Sequence, residues 1–144
     1  MKKTVLQIAI CCLGLLLCLA CVACGPSVPT ITQATLGAGA TEDDAAAHAS
    51  TQFTTDTAKI YCLWKAEGIK TSTPVRGVWI AEDSGGVAPP NYKIDEASVT
   101  ISSSSSGNFN LSKPTAGFPA GKYRLDIYFG PTLTKTIPFT VKAN

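Results

Sequence analysis

The feature that most constrains this chain's fold is the stretch from Tyr123 to Val141, where apolar residues recur at every second position but for Lys135. Tyr123, Leu125, Ile127 and Phe129 share one face of an extended strand, while Arg124, Asp126 and Tyr128 take the other. Side chains alternate across a strand, so this pattern demands one buried face and one wet face. After the turn residues Gly130-Pro131 the pattern resumes with Leu133, Ile137, Phe139 and Val141, which predicts a hairpin. Pro138 lacks an amide hydrogen and is expected at an edge, or with its nitrogen turned away from the neighbouring strand. Shorter runs bounded by turn residues precede this pair, near Thr51–Thr55, Ala58–Lys65, Val75–Ala81, Ala97–Ser102 and Asn108–Leu111. Seven short strands in about ninety residues predict an all-β class, a single seven-stranded sandwich spanning 51–144.

The other end of the chain reads as an address. Met1-Lys2-Lys3 is a short basic start, and Val5 to Ala23 is an apolar run broken only by Gln7, the pattern of an export signal. A run of ~20 apolar residues also suffices to span a bilayer, so an uncleaved anchor is the alternative. Small residues precede a cysteine twice, in Leu19-Ala20-Cys21 and Val22-Ala23-Cys24, and Gly25-Pro26-Ser27 follows. This resembles the lipobox of bacterial lipoproteins, in which the thiol accepts diacylglycerol and a peptidase that needs small neighbours cuts just before it. Cys21 and Cys18 stand where that family usually has Leu, three positions before each candidate. The resemblance implies a lipoprotein signal peptide over 1–23 and lipidation of Cys24, which ends the apolar run, with Cys21 as the alternative. A lipid there would hold the product to a cell membrane or outer membrane, facing outside the cytoplasm. Ordinary secretion gives the same side.

Residues 24–50, rich in Pro, Ser, Thr, Ala and Gly, show no periodic apolar face and are expected to be a disordered linker. As a flexible chain it would span ~30 Å. Thr41 through Ala49 could form a short helix capped by Thr41, with Glu42, Asp43 and Asp44 favouring its positive end.

Charge and cysteines narrow the function. Of the twelve basic residues, Lys2 and Lys3 lie in the leader, and the ten that remain match the ten acidic residues. A neutral product carries no electrostatic footprint for nucleic acid. Five of the six cysteines fall within or at the end of the leader, leaving Cys62 alone in the body. The domain must therefore fold by packing, with Cys62 as a small apolar group between Ile60 and Trp64 on one strand face.

Three details of 53–142 resemble immunoglobulin-like and fibronectin type III-like sandwiches. Pro119-Ala120-Gly121-Lys122-Tyr123 is similar to a tyrosine corner, in which the Tyr hydroxyl returns to upstream backbone. Cys62 lies on the second strand and Trp79 on the third. In antibody-type domains a second cysteine stands two residues after the corner tyrosine; here it is Leu125. The resemblance implies the sandwich without its disulfide, and no particular activity.

No catalytic constellation stands out, and no cofactor is expected. His48, the one histidine, falls in the linker without a partner, and Ser102 to Ser106 reads as a flexible polar loop with no base nearby. Glu82-Asp83 and Asp95-Glu96 flank the loop Ser84–Lys93 and are of the type that binds calcium, but the spacing fits no calcium loop. Solvated charge is the expectation, with a metal as the weaker alternative. Trp79 and Tyr128, on neighbouring strands, would form a stacking platform for a glycan or protein partner if both point outward. The competing reading puts Trp79 in the core. Apolar Tyr61, Leu63 and Trp64 load both faces of the second strand, so something must cover its outer face or leave an apolar patch exposed. The expected function is a non-catalytic, lipid-anchored binding or interaction module, with a structural subunit or spacer of a cell-envelope complex as the alternative.

Overall fold

The computed structural model describes residues 28–144; the leader and both candidate lipidation sites, Cys21 and Cys24, lie outside the described residues. Eight strands and one short helix follow in order: β1 (Thr30–Ala38), α1 (Glu42–Ala47), β2 (Gln52–Thr54), β3 (Lys59–Glu67), β4 (Thr73–Asp83), β5 (Tyr92–Ile101), β6 (Ser105–Ser112), β7 (Gly121–Phe129) and β8 (Thr132–Lys142). They form a three-stranded sheet, β1-β3-β6, facing a five-stranded sheet, β2-β8-β7-β4-β5. All pairings are antiparallel except β2 with β8. All seven strands expected from alternation are present.

The core is built from the inward positions of both sheets. Ile60, Cys62 and Trp64 of β3 meet Val75 and Trp79 of β4 and Leu125 of β7. Trp64 stacks on Phe109 at 5.7 Å. A Cβ on Gly77 would drive into the Phe109 ring across the sandwich, and one on Gly107 into the ring of its strand neighbour Trp64, so glycine at both positions permits close aromatic packing. Cys62 is free and fully buried. Pro138 lies beyond the residues of β8 that β2 pairs, Thr140 to Lys142, so its missing amide hydrogen costs no bond.

The structure corrects the expected linker. Thr30–Ala38 is not a tether but β1, paired along its length with β3. Its two large apolar residues, Ile31 and Leu36, are five apart and would face opposite ways on a regular strand. A register shift between Ile31 and Gln33 takes out one residue, and both turn into the core. The chain then doubles back as α1 over the outer face of the small sheet. Thr41 caps the helix in a reciprocal capping box with Asp44, and Ala45 is buried. A Cβ on Gly37 would lie 1.9 Å from the Ala45 carbonyl oxygen, so only glycine lets the helix sit this close. The Tyr61 hydroxyl donates to the Ala40 carbonyl at 3.1 Å, and Asn108 donates to Glu42 at 2.6 Å. The helix segment is thus what covers the outer apolar side of β3. The chain crosses to the large sheet at Ser50–Thr51, where Ser50 N donates to Leu36 O and Thr140 N to Thr51 O.

Two smaller expectations also change. Ser105 and Ser106 are not loop but the start of β6, paired with Ala66 and Lys65. Leu133 does not share a face with Ile137, because a bulge at Thr134, whose hydroxyl donates to Ile127 O at 2.9 Å, turns Leu133 outward.

Candidate interaction surface

The outer face of the large sheet carries the candidate site. Strand pairing sets Leu133 of β8, Tyr128 of β7, Arg76 of β4 and Ser98 of β5 in one row across it. The Arg76 guanidinium lies 4.5 Å from the centre of the Tyr128 ring, a cation–π contact that fixes the ring's orientation. Arg76 also reaches Glu96 at 3.6 Å, and Lys93 reaches Glu96 at 3.2 Å. Leu133 remains 49% exposed beside the ring, so the row presents an apolar side chain, a half-buried phenol and a half-exposed cation on rigid backbone.

Beside this row lies a polar cluster that ties the sheet to its loop. Arg124 donates to Asp126 at 3.1 Å, to Glu82 at 3.0 Å and to Asn91 at 2.7 Å. Asp126, only 5% exposed, also accepts from Thr136 at 2.7 Å. Its hydrogen bond, followed by that to Glu82, raises the Arg124 guanidinium above its ordinary value despite partial burial. Val78 and Ile80, paired with Asp126 and Arg124 of this cluster, face outward yet are buried.

The predicted platform of Trp79 with Tyr128 does not form. Trp79 points into the sandwich, 1% exposed and edge-on to Phe139 at 5.9 Å, while Tyr128 is on the opposite face. With Val75 inward, period-two alternation carries Gly77 and Trp79 inward too. Arg76 and Leu133 were missed as Tyr128's neighbours. Aligning β4 against β7 would have found Arg76; Leu133 depends on a bulge that alternation hides.

The four acids do not converge as a calcium site would require. Glu82 is held by Arg124 and Glu96 by Arg76 and Lys93. Asp83 accepts from Gly85 N at 2.9 Å, and Asp95 from Glu96 N at 2.8 Å. Among the described residues no three His, Cys, Asp or Glu side chains group as metal ligands. The loop itself is pinned: buried Ser84 accepts from Ala88 N at 2.8 Å, and Asn91 N donates to Glu82 O. His48 ends α1, exposed, with Nδ1 2.8 Å from Asp44 O. The tyrosine corner is present. Tyr123 is 2% exposed, its hydroxyl donates to Pro119 O at 2.5 Å, and its ring stacks on Phe139 at 5.3 Å.

No family model matches the sequence, and no curated protein is significantly similar to it. Among solved structures, an immunoglobulin-like protein from Pseudomonas aeruginosa superposes with a TM-score of 0.56 at 15% identity, over 82% of this chain and 99% of that one. A glycoside hydrolase family 3 β-glucosidase from Bifidobacterium adolescentis gives 0.44 at 11% identity, over 79% of this chain and 17% of that one; so partial a likeness bears on neither fold nor activity. The two facing sheets, the tyrosine corner, the inward Trp79 and the first superposition agree, and the described part of the chain is an immunoglobulin-like β-sandwich.

Proposed function

We propose that the chain is a non-catalytic, extracytoplasmic interaction module, held to a membrane by a lipid on Cys24, that binds a protein or glycan partner through the outer face of its large sheet. The observation that carries the reading is Tyr128, held under Arg76 and beside exposed Leu133 on a rigid strand. A side chain ordered before binding loses little entropy on contact, and Tyr and Arg are enriched among residues that dominate interfaces. Supporting the address are the basic start, the apolar run to Ala23 and the small residues before Cys24.

The test is capture by the full chain on its own membrane, using a short-range crosslinker. Tyr128→Ala leaves the fold intact, because the ring lies on the outer face, and lowers capture of the co-purifying partner by about tenfold or more, as hot-spot truncation does. Capture that survives Tyr128→Ala but disappears on chelating calcium, or on Asp83→Asn with Asp95→Asn, would place the site at the loop and refute this reading.

A further inference from the structure

Strand β5 ends the large sheet with one backbone edge unpaired among the described residues, and the small sheet, two strands narrower, leaves Ala97 and Val99 uncovered on the core side. Of its ten residues all but Ile94 and Ile101 are exposed, and Val99 is 42% exposed although it faces the same way as buried Val75 and Ile101. Edge strands are normally protected by charge or by irregularity. Both protections sit in the first half of β5, as Lys93, Asp95, Glu96 and a bulge beside Ile94. The second half, Ala97-Ser98-Val99-Thr100-Ile101, has no charge, no proline and no glycine.

That half is also complementary to itself. Set antiparallel to its own copy about a two-fold axis at Val99, Ala97 pairs with Ile101, Val99 with itself, and Ser98 with Thr100. Apolar side chains then meet on the core side and hydroxyls meet on the outer side. A one-residue shift would oppose Val99 to Thr100 and break that match, since register slips by one invert the faces. Centring the pair nearer the middle of the strand, on Asp95 or Glu96, would set carboxylates against each other. We infer that Ala97–Ile101 of β5 is a homodimerisation edge, joining two large sheets of two copies into one continuous sheet through an isologous antiparallel pair.

The test uses the full chain in its membrane and a short bismaleimide. A cysteine at the axis meets its own copy with Cβ atoms ~4.5–5.5 Å apart, so Val99→Cys gives a covalent homodimer. The parent chain sets the background of its own thiols, and Val87→Cys, more exposed at 73% but in the β4–β5 loop, controls for random collision. Expected is a dimer yield about tenfold above both, as direct cross-strand pairing implies, falling to background when Ala97→Lys is added to Val99→Cys. The inference is overturned if Val99→Cys crosslinks no better than Val87→Cys, if Ala97→Lys leaves the yield unchanged, or if the product joins a different protein.

Discussion

Cys62 and Tyr123 show how single side chains hold a sandwich that has no disulfide. Burial pushes the Cys62 thiol up from an ordinary value of 9.0 to about 12, and burial raises the Tyr123 phenol as well. Both groups lose protons more readily from the unfolded chain. The Cys62 contribution to stability is therefore complete below pH 9, the unfolded thiol value, and is lost as pH rises toward about 12, and that of Tyr123 is likewise lost on the alkaline side. Denaturant midpoints of the full chain should hold below that pH and fall above it, with a smaller alkaline loss in Cys62→Ala; an identical alkaline limb in both would show that the thiol is not the cause. Alkylation followed by peptide mapping should label Cys62 only after denaturation, and rapid labelling of the native protein would contradict its burial. Tyr123→Phe removes the bond to Pro119 and keeps the ring against Phe139, costing ~0.5–1.5 kcal/mol. Tyr123→Ala also removes the ring, costing ~3–5 kcal/mol; equal, small losses in unfolding titrations would mean that the corner carries no load. Both residues were legible in the sequence, Cys62 from its place between Ile60 and Trp64 and Tyr123 from the residues leading into β7.

At the scale of elements, legibility tracked the regularity of the strands. Alternation gave β7 and its hairpin partner β8 because these strands run almost unbroken. It concealed β1, where Ile31 and Leu36 share a face only through a bulge, and it misplaced Leu133 for the same reason. A bulge shifts the parity of every later residue on its strand, and nothing local in Thr32 or Thr134 announces one. The helix, by contrast, was readable from Thr41 and the acids that follow, though not its role as a cover for β3. That role makes a prediction. Gly37→Ala places a methyl against the Ala45 carbonyl, which forces α1 away from the sheet and should cost ~1–3 kcal/mol, the usual scale of overpacking. Chemical denaturation measures it, and a loss of less than a few tenths would mean that α1 does not pack on β1.

Taken whole, the chain joins a leader that the sequence alone reads as an address to a sandwich that the structure extends down to Thr30. With β1 and α1 part of the fold, the stretch between Cys24 and the first strand is only a few residues long, much shorter than the 24–50 tether the composition suggested. A lipid on Cys24 would therefore hold the sandwich close to the headgroups rather than lift it away. The choice of surface was only half legible, since Tyr128 stands out in its strand while its neighbours come from β4 and β8, which only pairing brings together. The proposal that fixes where the module works is that Cys24 is the acylated first residue of the mature chain. Intact mass of the full-length gene product, extracted from membranes, tests it directly. The account predicts a chain beginning at Cys24 that carries a diacylglyceryl group, and a Cys24→Ser product that keeps residues 1–23 and carries no lipid. An unacylated parent, or a Cys24→Ser product with the parent's mass and membrane partition, would contradict it.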